Sequence, residues 1–413
     1  MEGVTTLVGQ GLYMAVAAVA GLGIARILKR DNTLGCLIAG VLAGMLLPVL
    51  DYDTGLRAEN LHQLVFFLIL PVLIFESAWK IDPDILFRWL GPIVLFATLG
   101  VVLCALVTAM LVYFGMGHPS GFPWVAALIT GAILAATDPV SVVARLRQSN
   151  ANEELLTLVE GESLFNDAVA IVLFTFCLSI ATHSVMEGAV VTEEVISSAT
   201  EFALYFAVIF LGGLAVGGIC GLLTAIVVLF LGSAGAALVV LVLSAFGSFY
   251  LAEHVVGVSG IIAVMVCAVV ARACLREQRE TYLVHAEPTW EWLGLLFTAL
   301  VFVIMGLVIN WDMVAHQWLA MLIGIVAAVA ARALAVSLVS PLARFVGPPV
   351  PWSWRLILSW GGLRGVIAVA LVLSLPTELP YWWTIQSMVF GVVLFSLLVQ
   401  GGTSARLVNH MDH

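Results

Sequence analysis

Apolar runs of about 20 residues follow one another along almost the whole chain, and each is long enough to cross a bilayer as a helix. Of the 413 residues, 62% are hydrophobic and only 10% are charged, whereas a soluble domain usually has about 25% charged residues. The runs do not alternate polar and apolar side chains, which argues against a membrane β-barrel. Because a helix satisfies its own backbone hydrogen bonds in lipid, the sequence predicts an all-α integral membrane protein.

Short loops connect these runs and leave no room for a second domain. We therefore expect a single transmembrane domain over residues 1–413, without a soluble regulatory tail. The longest loop, 184–201, is acidic. The thirteen candidate spans are 4–27, 33–50, 61–79, 90–114, 123–144, 155–181, 202–231, 235–252, 257–273, 292–310, 314–340, 354–375 and 383–406.

The basic residues predict how the chain lies in the membrane. Of the 16 Lys and Arg residues, 13 fall in loops on one side, only Arg57 falls on the other, and Arg332 and Arg364 lie inside spans. Cytoplasmic loops carry the excess of Lys and Arg in membrane proteins. The N-terminus is therefore predicted outside and the C-terminus in the cytoplasm.

Two of the predicted spans are interrupted at matching positions. The fifth contains the proline break TDPVS at 137–141, and the twelfth, seven spans later, contains the glycine break GGLRG at 361–365. If spans 1–6 and 8–13 are two six-helix repeats around span 7, the repeats have opposite topology and the broken helices correspond. Interrupted helices at matching positions of inverted repeats indicate the binding site of a transporter.

Ionisable side chains inside the spans are a second sign of function. A charge at the bilayer centre costs at least about 2.5–3.5 kcal/mol on insertion scales. A charged side chain that carries this free-energy cost is retained because it has a function or because a partner compensates its charge. The buried ionisable residues are Glu76, Asp138, Glu162, Asp167, Arg332 and Arg364.

The sixth span presents two polar faces. Residues four apart share a face of a helix, so Glu162 lies with Asn166, and Ser163 lies with Asp167. Two faces indicate two tasks, with one carboxylate held permanently by a buried cation and the other titrating in a water-filled cavity. The alternative is two unrelated polar contacts between helices.

The proline break of the fifth span predicts oxygen ligands for a cation. Pro139 removes a backbone donor and clashes with the preceding turn, which frees carbonyl groups near Thr137 beside the carboxylate of Asp138. Carbonyl, hydroxyl and carboxylate oxygens are the ligands that a hard cation such as Na⁺ prefers. The alternative is a simple proline kink with Asp138 as a helix cap.

Five segments, in this order along the chain, resemble motifs of the cation/proton antiporter family of the NhaP and Na⁺/H⁺ exchanger type. The specific signature is the adjacent pair Asn166–Asp167. An Asn-Asp pair resembles the electroneutral branch of the family, whereas Asp-Asp pairs mark electrogenic relatives. The segments are LPVLIFESAW at 70–79, TDPVSVVARLR at 137–147, EGESLFNDAVAIVLF at 160–174, ARALAV at 331–336 and GGLRGVIAVAL at 361–371.

The resemblance implies a fold and an ion site. It implies thirteen helices, with spans 5 and 12 broken and crossing at the middle of the membrane. Asp167 would be the main carboxylate that binds the ion and the proton. The transported Na⁺ would be held by Asp167 together with Asp138, Glu76, Ser163 and the backbone carbonyl of Thr137.

The other buried polar residues would form a structural network, again by resemblance. Glu162 would pair with Arg332 and, with Asn166, hold the core together. Arg364 would neutralise the carbonyl ends freed at the crossing.

These features predict a secondary antiporter, not an enzyme, that exchanges Na⁺, or Li⁺ or K⁺ in its place, for H⁺. Na⁺ and H⁺ would compete for Asp167, and alternating access would carry either ion across. With Glu162 and Arg332 paired throughout, exchange would be one-for-one and electroneutral. We expect no cofactor beyond the transported ions, no nucleic-acid partner, and a homodimer in the plasma (cell inner) membrane that serves pH homeostasis.

Two alternatives use the same buried acids. Two aspartates on separate helices, Asp138 and Asp167, also fit an intramembrane aspartyl protease, and acids within a membrane also fit a cation channel. A saturable proton flux that depends on added Na⁺ or K⁺ distinguishes the exchanger from both.

Overall fold

The computed structural model describes residues 2–46, 64–117, 121–139, 151–186, 199–278, 284–309, 311–379 and 381–404, with positions 142, 143, 146, 147, 149, 282 and 407. Within these residues the regular secondary structure is helical, apart from one isolated antiparallel bridge between Asp138 and Leu363. The predicted all-α architecture is therefore confirmed.

We label the main helices α1 to α14 in chain order. They are α1 Glu2–Leu28, α2 Asn32–Leu46, α3 (Leu64–Ile69 continued by Leu70–Lys80), α4 Pro83–Gly115, α5 Trp124–Ala135, α6 Glu153–Met186, α7 Ala199–Leu231, α8 Ala234–Val256, α9 Gly260–Cys274, α10 Val284–Val308, α11 Trp311–Ala343, α12 Trp352–Trp360, α13 Val366–Leu373 and α14 Trp382–Ser404.

Eight of these helices are long and apolar enough to cross a membrane, namely α1, α4, α6, α7, α8, α10, α11 and α14. The apolar helices α2, α5 and α9 are shorter, at 15, 12 and 15 residues. Each of the thirteen predicted runs overlaps at least one of the labelled helices. The count of thirteen membrane spans and the inverted repeats stay predictions.

Helix packing divides the described residues into two groups. The first group consists of α1–α3 and α7–α10, which pack mainly on one another. The second consists of α4–α6 and α11–α14. Only a few contacts, such as those of α3 with α6 and of α10 with α13, join the groups. The boundary between them is therefore the least continuous part of the core.

Glycines allow helices of the same group to approach at backbone distance. A Cβ on Gly40 of α2 would lie 2.3 Å from the carbonyl oxygen of Val303 on α10. A Cβ on Gly131 of α5 would lie 2.2 Å from the carbonyl oxygen of Ala105 on α4. Small residues at such contacts allow helices to pack closely in lipid, where the hydrophobic effect does not drive their association.

Ion pairs join the helix ends that carry the basic residues. At the start of α4, Asp84 accepts a hydrogen bond from Arg276, whose NH1 nitrogen lies 2.7 Å from Oδ1 of Asp84. The NH1 nitrogen of Arg88, also near the start of α4, lies 2.6 Å from Oε1 of Glu154 on α6. Arg272 donates to the carbonyl of Trp79 at the end of α3. The ends of α3 and α9 and the starts of α4 and α6 therefore meet at one end of the molecule. Arg57, Arg145, Arg279 and Arg406, which also entered the orientation prediction, lie outside the described residues.

The predicted start of the tenth span is wrong. We predicted 292–310, but α10 begins at Val284 and ends at Val308. Pro288 lies so close to the helix start that its missing N–H removes only the first hydrogen bond of the ladder. Glu287 and Glu291 consequently lie on a helix, and not in a loop.

The predicted acidic loop 184–201 is shorter than expected. Residues 184–186 are helical because α6 continues to Met186, and residues 199–201 are helical because α7 begins at Ala199. Residues 187–198 lie outside the described residues.

Candidate ion-binding site

Two interrupted helices meet at the centre of the second group. Helix α5 ends at Ala135, just before Pro139, and the glycines between α12 and α13 interrupt the other helix. The N–H of Asp138 donates to the carbonyl of Leu363, with an N···O distance of 2.7 Å. A Cβ on Gly365 would lie 2.0 Å from Oδ2 of Asp138, so only glycine fits this crossing. The expected crossing of the two breaks is present.

Helix α6 binds the polar groups of Thr137 at this crossing. The hydroxyl of Ser163 donates to the Thr137 carbonyl. The side-chain amide of Asn166 donates to the Thr137 hydroxyl, at 3.1 Å between Nδ2 and Oγ1. The predicted ligands Ser163 and Thr137 are thus adjacent, and in this conformation they are hydrogen-bonded to each other.

A buried ion pair lies behind the crossing. The NH1 and NH2 nitrogens of Arg332 lie 2.8 and 2.9 Å from the two carboxylate oxygens of Glu162. Glu162 is 2% exposed and Arg332 is 4% exposed. Asn166 Nδ2 donates to Glu162 Oε1 at 3.1 Å, and Arg332 Nε donates to the Leu358 carbonyl at 3.0 Å. Charge-assisted, two-pronged pairing of this kind is the strong form of an Arg–carboxylate contact.

Arg364 compensates the carbonyl end of α5. Its NH1 nitrogen lies 2.8 Å from the carbonyl oxygen of Ala136, and its NH2 nitrogen lies 3.8 Å from the sulfur of Cys104. Its backbone N–H donates to the hydroxyl of Ser396, which in turn donates to Gln400. The guanidinium therefore lies where the helix break leaves a carbonyl without its helical donor.

Asp167 is the acid of this cluster with an uncommitted oxygen. Its Oδ1 atom is buried and has no hydrogen-bond partner among the residues that the structure describes. Asp167 lines the same cavity as Asp138 and Ser163. A buried carboxylate oxygen without a donor is unfavourable unless a proton or a cation occupies it, which is what an ion-binding group requires.

The cavity has a volume of about 540 Å³ and extends from the crossing to the basic end of the molecule. Hydrophobic side chains such as Trp290 and Val366 share its wall. The charged lining residues are Glu76, Lys80, Asp138, Arg147, Glu160, Asp167, Arg272, Glu287 and Glu291. Acids outnumber cations in this lining, which favours entry of a cation.

Glu76 lines the cavity but is not gathered with the two aspartates. Its carboxylate forms an ion pair with Lys80, one turn further along α3. Within the described part of the chain, no group of three or more His, Cys, Asp and Glu side chains converges closely enough to hold a metal ion. The set of Asp167, Asp138 and Glu76 as joint Na⁺ ligands stays a prediction.

Several residues of the site were not foreseen from the sequence. Lys80 and Glu291 in the cavity, and Ser396 and Gln400 behind Arg364, were all unassigned. The spacing of Glu76 and Lys80, four residues apart, is a signal that could have revealed their pairing. Ser396 and Gln400 lie on a wider, π-type turn of α14, which the sequence pattern does not distinguish from an ordinary helical turn.

The chain has clear relatives among known proteins. A family model described as "Sodium/hydrogen exchanger, transmembrane" matches residues 14–410. The Na⁺/H⁺ antiporter ApNhaP of Aphanothece halophytica is 34% identical over 380 residues, which cover 90% of this chain and 68% of the relative. The Na⁺/H⁺ antiporter NhaH of Halobacillus aidingensis is 30% identical over 98% of this chain and 97% of the relative.

A solved structure shares the fold. The sodium proton antiporter MjNhaP1 from Methanocaldococcus jannaschii at pH 8 superposes with a TM-score of 0.78, over 99% of each chain and with 19% sequence identity. At this identity the likeness concerns the fold.

We predict that the Glu162–Arg332 pair is strongly coupled. Removing one partner leaves an uncompensated buried charge, which costs about 3–5 kcal/mol. Glu162→Gln and Arg332→Ala should each lower stability in detergent by about that amount, and the double variant should lose less than their sum. The measurement is a double-mutant cycle of unfolding in detergent.

The exposed pair Arg88–Glu154 is the matched control, since a solvated ion pair contributes only about 0–1 kcal/mol. Additive losses at Glu162 and Arg332 would show that the two charges do not stabilise each other.

Proposed function

The chain belongs to the transmembrane sodium/hydrogen exchanger family, and on that premise we propose that it exchanges Na⁺ for H⁺, one for one, by alternating access of a site centred on Asp167. It is a multi-pass integral membrane protein and a transporter. The predicted membership of the NhaP and Na⁺/H⁺ exchanger family is confirmed. Exchange of Na⁺ for H⁺ is the activity that its relatives' names state.

The uncommitted carboxylate oxygen of Asp167 carries the proposal. Asp167 lines a cavity together with Asp138 and Ser163, and its buried Oδ1 atom has no hydrogen-bond partner among the described residues. The side-chain oxygens of these three residues, with the Thr137 carbonyl that Ser163 contacts, are of the type that binds a hard monovalent cation. A proton on Asp167 removes the negative charge that Na⁺ needs, so either ion excludes the other. That exclusion makes the transport an exchange.

The surrounding charges support a one-for-one stoichiometry. Glu162 and Arg332 satisfy each other in a buried contact, so neither is available to bind a transported ion. Asn166, beside Asp167, is an amide that binds no proton. With Asp167 as the group that changes occupant, each direction of transport moves one positive charge.

The packing of the helices supports alternating access. The cavity reaches Asp167 from the end where Lys80 and Arg147 are exposed. In the other direction along α6, no described residue after Asp167 lines the cavity. Relative movement of the two helix groups would close the first path and open the second.

We also propose the orientation and location. The cavity mouth coincides with the basic end, and the excess of Lys and Arg in loops at that end favours the cytoplasm. The site then faces the cytoplasm in this conformation, with the N-terminus outside and the C-terminus inside. A homodimer in the plasma membrane is the assembly that the family resemblance implies.

Asp167→Asn should abolish Na⁺-driven proton movement while leaving the protein folded. The amide keeps the size of the side chain, but it does not bind a proton and it lacks the negative charge that attracts Na⁺. The measurement is proton flux in proteoliposomes after addition of Na⁺, with the melting temperature in detergent as the test of folding.

The matched control is Asp312→Asn, an exposed aspartate at the start of α11, which should exchange at the wild-type rate. Wild-type exchange by the Asp167→Asn variant would show that the site is elsewhere.

The proposed stoichiometry predicts a rate that does not depend on voltage. One net transported charge would change the driving force by about 2.3 kcal/mol per 100 mV. We therefore expect equal rates of Na⁺-driven exchange at zero potential and at a large negative potential, set with K⁺ and valinomycin. Parallel vesicles without Na⁺ subtract any flux driven by K⁺. A rate that follows the potential would contradict one-for-one exchange but not antiport itself.

A further inference from the structure

The cavity contains a cation for which the proposed exchange has no role. Lys80 lies at the end of α3 and lines the cavity with Glu76, Asp138 and Asp167. Its side chain is 43% exposed, whereas that of its partner Glu76 is 12% exposed. The ammonium is therefore more accessible to solvent than the carboxylate with which it pairs.

The other two cations of the cavity are engaged elsewhere. Arg147 lies 2.9 Å from Glu160. Arg272 donates to the carbonyl of Trp79 and lies 3.6 Å from Glu287. Lys80 is thus the cavity cation whose partner, Glu76, is also a proposed ligand of the transported ion.

Helix α10 packs closely against the Glu76 carboxylate. A Cβ on Gly294 would lie 2.8 Å from Cδ of Glu76, so the glycine leaves the space that the carboxylate occupies. Because α10 covers one side of the Glu76 carboxylate, the carboxylate can pair with a cation that occupies the cavity. In this conformation that cation is the Lys80 ammonium.

We propose that Lys80 is a tethered competitor of the transported cation, which occupies Glu76 when Na⁺ is absent and must leave it before Glu76 can complete the Na⁺ site. This proposal rests on the proposed role of Glu76 as a ligand. A lysine suits the task because its compact charge sits on a flexible four-carbon stem. Na⁺ binding then includes the displacement of one monovalent cation by another.

Glu291 offers the displaced ammonium a second partner. It lies on α10 one turn before Gly294 and lines the same cavity, with an exposed side chain. Movement of Lys80 from Glu76 towards Glu291 keeps the ammonium near a carboxylate while Glu76 binds Na⁺. Lys80 therefore sets the apparent affinity for Na⁺ without being a ligand.

The test is the Na⁺ concentration that gives half-maximal proton flux in proteoliposomes. Lys80→Met should lower it by roughly two- to fivefold, the equilibrium equivalent of a partly exposed ion pair. Lys80→Arg keeps a competing cation and should stay close to the wild-type value. The matched control is Lys29→Met, which removes the chain's other lysine on the same basic side but away from the cavity; it should change nothing.

Glu76→Gln removes the group for which the two cations compete. It should weaken Na⁺-driven exchange, and in its background Lys80→Met should no longer shift the half-maximal concentration. If Lys80→Met leaves that concentration unchanged or raises it while Glu76→Gln impairs exchange, the competition is refuted and the ligand role of Glu76 stands. If Glu76→Gln exchanges like the wild type, the ligand role of Glu76 fails and the competition fails with it.

A purely structural role for Lys80, as the favourable charge at the C-terminus of α3, predicts something else. Lys80→Met would then lower the melting temperature in detergent with an unchanged half-maximal Na⁺ concentration, and this result would also overturn the proposal.

Discussion

The contact between Glu162 and Arg332 is the interaction on which the rest of the site depends. Each charge alone in the membrane interior would be costly, but together they are satisfied in the core, where NH1 of Arg332 donates to Oε1 of Glu162 and NH2 donates to Oε2. The pair also sets the positions of its neighbours, since Glu162 accepts from Asn166 and Arg332 donates to the end of α12. Because this acid is already neutralised, we propose that Asp167, five residues later, is the acid of α6 that binds the transported ion.

The fold places the remaining groups on two sides of a boundary. Asp138, Ser163 and Asp167 belong to the group of α4–α6 and α11–α14, whereas Glu76 and Lys80 lie at the end of α3 in the other group. The few contacts between the groups run beside the cavity. A site completed from both sides of such a boundary links ion binding to the relative position of the two groups, which is the physical requirement of alternating access.

Local chemistry predicted the elements of this site better than it predicted their partners. The breaks at Pro139 and at Gly361–Gly365 could be predicted because proline and glycine act on their own turn. The partner of Glu162 is 170 residues away, and the residues alone predicted only a buried cation; the family resemblance identified Arg332. The position of Glu291 relative to Glu76 depends on how α3 packs against α10. A start of α10 predicted eight residues too late placed Glu291 outside the membrane domain's helices.

The central claim is that Na⁺ and H⁺ exclude each other at Asp167, and proton release on Na⁺ binding measures this most directly. Purified protein in weakly buffered detergent solution is titrated with Na⁺ while a pH indicator counts the protons released and a Na⁺-binding assay counts the ions bound. Competition at one carboxylate predicts one proton released for each Na⁺ bound under acidic conditions, falling towards zero as the solution is made alkaline, and neither event in the Asp167→Asn protein. Stoichiometric Na⁺ binding without proton release under acidic conditions would contradict it.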